Sequence, residues 1–178
     1  LMNDLKNKKI FQENKITILY DAILNIKDFN SKIKNKKFMP PFKIPDSFIL
    51  SVGRLTKQKN YFYLLNEFKK IVNRYPDQKL LIVGEGELKE KIENLINRLN
   101  LSNSVFLIGH TNNVYYYMKK AKVFVLSSLW EEVGFVIVEA ALSNSLIISS
   151  DCKNGPKEFL ENGNAGFLFN NNQEKDLF

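Results

Sequence analysis

From Ser47 onward, short apolar runs alternate with longer stretches in which apolar residues recur every three or four positions. Residues 48–52, 80–83, 105–108, 123–126, 146–149 and 167–169 are short apolar runs of the kind that buried strands present. Between them, helical spacing predicts helices over 60–74 (Leu64, Leu65, Phe68, Ile71 and Val72 inward) and 87–99 (Leu88, Ile92, Leu95, Ile96 and Leu99). Shorter helices are expected at 115–120, at 134–144 with Val138, Ala141 and Leu142 at helical spacing, and at 156–161. Strands alternating with helices argue for an α/β fold, a parallel sheet covered on both faces. Upstream, Ile16 to Tyr20 is a fair strand, while Lys32 to Lys37 and Pro40, Pro41 and Pro45 make 21–46 an irregular connection between domains. The expected organisation is therefore the end of a preceding unit plus a connection over 1–45, then a domain over 46–178. That domain stops where another helix is due, so the chain reads as truncated at both ends.

Composition narrows the function classes. At 44% apolar and 25% charged residues the chain is of ordinary globular type, and no apolar run approaches the roughly 18 residues of a membrane span. Cys152 is the single cysteine and His110 the single histidine, which excludes an internal disulfide and a multi-histidine metal site and fits a reducing cytosol. The net charge of +7 raises nucleic acid or an anionic membrane as partners. The densest basic runs, Lys6 to Lys9 and Lys32 to Lys37, could rest against lipid headgroups or simply be solvated. Tyr115-Tyr116-Tyr117 beside Lys119 and Lys120 is no single-strand stacking platform, because consecutive residues on a helix point in different directions. Core packing with a solvated basic face is the reading there, with no nucleic acid.

Candidate chemistry gathers where strands end. Ser127-Ser128-Leu129-Trp130-Glu131-Glu132-Val133-Gly134-Phe135 joins a buried strand to a helix, and a helix start offers free N–H groups and the positive end of its dipole to an anion. Glu131 and Glu139 flank this loop; carboxylates repel phosphate, so they are suited to accept hydrogen bonds from sugar hydroxyls. Arg54 and Lys59 follow Gly53 after the first core strand and can reach phosphate oxygens, whereas Lys57 reads as a surface charge. Gly84-Glu85-Gly86 is a tight strand-to-helix turn without the third glycine of a dinucleotide fingerprint. Gly109-His110-Thr111 ends the next strand, and a lone histidine on such a loop is more often incidental than catalytic.

In the Glu-x7-Glu spacing of Glu131 and Glu139 around Gly134-Phe135, joined to Gly53-Arg54 and Lys59, the chain resembles the donor-binding half of family-4 glycosyltransferases over roughly 16–178. These are retaining enzymes of the two-domain GT-B fold, so the resemblance implies a Rossmann-like sheet forming its C-terminal half. It implies that Glu139 holds the ribose hydroxyls of a nucleotide sugar and Glu131 those of the transferred sugar. The amides near Gly134, Phe135 and Val136 would approach the diphosphate and sugar. Arg54 and Lys59 would clamp the diphosphate without a metal or cofactor, at about 1.5–3 kcal/mol per charge-assisted contact. Gly84 and Gly86 would pass near the nucleoside, with His110 and Thr111 near the base. The family places glycine directly after the first glutamate; here Glu132 and Val133 intervene, and Glu132 is a second candidate for the sugar. The resemblance further implies a UDP-sugar donor, a glycan or lipid-linked acceptor, and an N-terminal acceptor domain as partner; the single cysteine and the basic runs suit a cytoplasmic protein able to rest at the inner membrane face. Two rivals stand beside it: a nicotinamide-dependent oxidoreductase, which the missing glycine disfavours, and a non-catalytic basic module binding nucleotide, nucleic acid or membrane.

Overall fold

The computed structural model describes residues 24–35, 38, 40, 43–152, 155–170 and 177. In chain order the elements are α1 (Ile26–Ile33), β1 (Ile49–Val52), α2 (Tyr61–Arg74), β2 (Leu80–Val83), α3 (Lys89–Arg98), β3 (Val105–Gly109) and α4 (Val114–Lys120). Then follow β4 (Val123–Leu126), α5 (Phe135–Leu142), β5 (Leu146–Ser150), α6 (Pro156–Phe159) and β6 (Phe167–Phe169). The strands form one six-stranded sheet in the order β3-β2-β1-β4-β5-β6, and every pairing is parallel. This is the parallel α/β sheet expected from the alternating pattern, in the Rossmann-like form that the resemblance implies.

Alternation along the strands divides the core into two layers. Leu50, Leu81, Val83, Phe124 and Leu126 face a cluster with Phe29 of α1, Tyr117 and Met118 of α4, and Ile137 and Ala140 of α5. Leu80, Ile82 and Val125 face the other side, against Leu64, Leu65 and Phe68 of α2 and Ile92, Leu95 and Ile96 of α3. All four residues of β2 are buried, as a strand covered on both faces requires.

Three expectations are corrected. Residues 21–46 are not irregular throughout, because α1 occupies 26–33. Asn25 caps it by accepting from the amides of Lys27 and Asp28, and Phe29 anchors it to the sheet unit while Lys27 stays exposed. The inward face of α5 is also different: Ile137, Ala140 and the capping Ser143 are buried, whereas Ala141 is exposed and Leu142 is 43% exposed. An apolar helix of this kind carries no clear stripe, so spacing alone misassigned its face. The helix expected at 156–161 is shorter, with α6 ending at Phe159 before a 3₁₀ turn over Glu161–Gly163. The strand expected at 16–20 lies outside the described residues.

Candidate functional site

In this strand order the connections leave in opposite directions between β1 and β4, so their carboxyl ends diverge and open a crevice. Two loops line it, 53–60 after β1 and 127–134 after β4, and they are stitched together. Ser127 donates to the Lys59 carbonyl (2.8 Å), the Leu129 amide to the Gln58 carbonyl (2.8 Å), and Gln58 Nε2 to the Trp130 carbonyl (2.9 Å). Tyr61, at the start of α2, donates its hydroxyl to the Gly53 carbonyl (3.1 Å), and burial keeps that phenol protonated.

Across the stitched loops, Lys59 Nζ lies 2.5 Å from Glu131 Oε1. Glu131 is only 6% exposed, and Ser128 donates to the same oxygen. A buried carboxylate needs such partners, and the lysine and serine supply them. Arg54 is different: it is exposed and has no ion-pair partner among the described residues. One basic side chain is thus tied to a carboxylate and the other is open to an anion.

Gly134 closes the β4 loop in the left-handed region (φ 72°, ψ 44°), a conformation that lets the chain turn abruptly into α5. The first turn of α5 then borders the crevice through Gly134, Phe135 and Val136. Glu139, one turn further, lies on the same wall and is half-buried. Its Oε1 accepts from the Tyr115 hydroxyl of α4 (3.1 Å). Burial raises the Glu139 pKa above the ordinary carboxylate range, while the Tyr115 hydrogen bond and the charge of Lys32 oppose that rise.

The crevice has two connected parts. The larger, of about 580 Å³, is lined by Gly53, Arg54, Lys59, Glu131, Glu132, Gly134, Phe135, Val136 and Glu139, with Trp130 at its mouth. The smaller, of about 310 Å³, shares Gly53 and Arg54 and extends to Gly84, His110, Thr111 and Val114. Every site residue expected from the sequence therefore lies on this one groove except Gly86. Gly86 instead packs under the β1 loop, where an added Cβ would meet the Leu55 carbonyl oxygen at 2.6 Å. Gly84 is as tightly placed, its Cβ position lying 2.0 Å from the Gly53 oxygen. Lys57 is exposed and off the groove. Cys152 is buried, and burial raises its thiol pKa.

Sequence reasoning missed Gln58, Ser127, Ser128 and Tyr115. The three polar residues hold loops, and nothing in their spacing announces that. Tyr115 was recognised as a core residue, but its contact with Glu139 joins positions 24 apart on neighbouring helices.

The family model for glycosyl transferases group 1 matches residues 32–178. The chain belongs to that family. An uncharacterized glycosyltransferase of Methanocaldococcus jannaschii is 40% identical over 164 residues, covering 87% of this chain and 40% of that protein. The Campylobacter jejuni N-acetylgalactosamine-N,N'-diacetylbacillosaminyl-diphospho-undecaprenol 4-α-N-acetylgalactosaminyltransferase is 33% identical over 177 residues, covering 99% of this chain and 46% of the enzyme. Among solved structures, a Staphylococcus aureus TarM variant in complex with fondaparinux, α-GlcNAc-glycerol and UDP superposes with a TM-score of 0.76 at 26% identity. That match covers 99% of this chain and 33% of TarM. This group 1 chain thus has the Rossmann-like sheet of GT-B glycosyltransferases and spans less than half the length of these relatives. Among its described residues, no helix is long and apolar enough to cross a membrane.

Proposed function

We propose that residues 46–178 form the donor-binding domain of a retaining, metal-independent GT-B glycosyltransferase, with 1–45 the end of an acceptor-side domain and the connection from it. The substrate is a nucleoside-diphosphate sugar, and the sugar passes to a glycan or lipid-linked acceptor in cell-surface polysaccharide synthesis. The observation that carries this reading is the joining of Arg54, Lys59, Glu131, the α5 start and Glu139 on one groove at the sheet's switch point. UDP in the TarM complex and the lipid-diphosphate acceptor in the Campylobacter enzyme's name support the substrate classes. Retention and metal independence rest on the Glu-x7-Glu resemblance.

In this reading Arg54 forks onto the diphosphate, while Lys59 keeps Glu131 in place and has donors left for a phosphate oxygen. The amides of Phe135 and Val136 add the helix-start contribution, so charge developing on the leaving diphosphate is met by fixed donors. Glu131 accepts from hydroxyls of the transferred sugar and Glu139 from the ribose. Gly84 leaves room for the nucleoside, with His110 and Thr111 beside the base. The enzyme works in the cytoplasm at the inner face of the membrane, where a lipid-linked acceptor is presented. By itself the 178-residue chain binds donor but turns over little.

The test is ligand-observed NMR of the chain against UDP, GDP, CDP, ADP and NAD, repeated with Arg54→Ala and Glu139→Ala. Selective binding of a nucleoside diphosphate that both changes weaken is expected. Binding of NAD alone, or binding indifferent to both substitutions, would overturn the reading.

A further inference from the structure

Glu139 does not stand free on the groove wall. Tyr115 reaches it from the neighbouring helix, and Tyr115 is itself fixed on several sides. Its ring packs edge-on against Phe29 of α1 (4.9 Å between centroids), and the Lys32 ammonium lies 6.0 Å from the ring centre. Asn113 secures the start of α4 by accepting from the Tyr116 amide (3.2 Å), and ties it to α1 by donating to the Lys32 carbonyl (2.9 Å). The phenol is thus a donor held at a set position by packing on two helices.

We infer that Tyr115 is the positioning residue for Glu139, fixing the carboxylate so that it selects nucleotides carrying a free ribose 2′,3′-diol. The inference deepens the donor-site reading and rests on it. An ionised carboxylate offers about four acceptor positions, and the Tyr115 bond takes one of them. It removes the free rotation of the carboxylate about its last torsion. Oε2 has no hydrogen-bond partner among the described residues, so the remaining positions are left for two adjacent hydroxyls. A vicinal diol meets a fixed carboxylate with both donors at once; a rotating one must be ordered at the moment of binding. Burial, and then the Glu139 charge, push the Tyr115 pKa up to about 12, so the phenol stays a donor across the neutral range. Phe29 and Lys32 place the device partly on α1, the helix that precedes the sheet.

The experiment measures the affinity of the 178-residue chain for UDP and GDP, each against its 2′,3′-dideoxy counterpart. It is run on the parent chain, Tyr115→Phe, Glu139→Gln and the double variant. The parent chain prefers the ribose form. Tyr115→Phe keeps the ring and its packing but reduces that preference by about fivefold, leaving dideoxy binding little changed, as loss of one ordering hydrogen bond implies. Glu139→Gln reduces it too, and adding Tyr115→Phe to Glu139→Gln has no further effect, the sign of residues acting through one another. Equal weakening of both nucleotide forms in Tyr115→Phe would reduce Tyr115 to a packing residue. A preference that survives Tyr115→Phe, or additive losses in the double variant, would also overturn the inference. Binding of both forms with no preference in the parent chain would remove Glu139 from the ribose. Failure of both diphosphates to bind the parent chain would remove the donor reading itself, and the inference with it.

Discussion

The two carboxylates of the Glu-x7-Glu pattern lie on one groove, yet they are held by opposite means. Glu131 is deeply buried and neutralised on the spot by Lys59 and Ser128. Glu139 is half-buried, is held by a neutral phenol and keeps one oxygen without a partner among the described residues. The first arrangement spends its charge on joining two loops and so carries stability. The second leaves acceptor capacity for a ligand, and burial makes its ionisation harder. Side chains that look equivalent in the sequence therefore divide into one whose charge also joins the two loops of the crevice and one that keeps an oxygen open on its wall.

The largest expected effect breaks the Glu131 side. Lys59→Met keeps most of the stem but leaves a buried carboxylate unpaired, and should cost about 3 kcal/mol of stability. Urea unfolding checks this, and a loss within about 0.5 kcal/mol would show that the ion pair is incidental. Arg54→Ala sharpens the contrast, because Arg54 joins no ion pair among the described residues. It should leave unfolding nearly unchanged and weaken nucleoside-diphosphate binding about tenfold or more, the worth of a charge-assisted contact. A smaller effect is expected from pH, acting on Glu139 alone. Its folded pKa is raised, so between the unfolded and folded values the native state holds the extra proton. Stability from this group therefore declines as pH rises through that window. Ribose binding, which needs the ionised acceptor, improves over the same window. Affinity titrations across the acid range should show that improvement in the parent chain and lack it in Glu139→Gln. Lys32→Met should move it to higher pH, since the Lys32 charge lowers the Glu139 pKa.

The sheet was legible because parallel strands buried on both faces read as short apolar runs; Leu80 to Val83 is the plainest case. The groove was legible too, since glycines and charges at strand ends converge wherever such strands lie side by side. Two features were not. In α1 the lysines and following prolines masked the pair Phe29 and Ile33, one helical turn apart, whose packing against the sheet unit settles the helix. In α5 nearly every residue is apolar, so only contact with α4 and the sheet decides that Ile137 and Ala140 turn inward rather than Leu142. The stitching by Gln58 and Ser127, and the hold of Tyr115 on Glu139, depend on distances across the fold that no local pattern records.

A second cavity, of about 480 Å³, lies away from the groove between α4 and the segment before β1, bordered by Lys43, Pro45, Tyr116 and Lys120. Lys43 and Lys120, against the single carboxylate of Asp46, make it the natural competitor for an anionic ligand. The most direct measurement is amide chemical-shift mapping of the labelled chain during titration with UDP. The account predicts shifts centred on Gly53, Gly84, Gly134, Val136 and Glu139, much reduced with Arg54→Ala at the same concentration. Shifts centred on Lys43, Tyr116 and Lys120, with the groove silent, would contradict it.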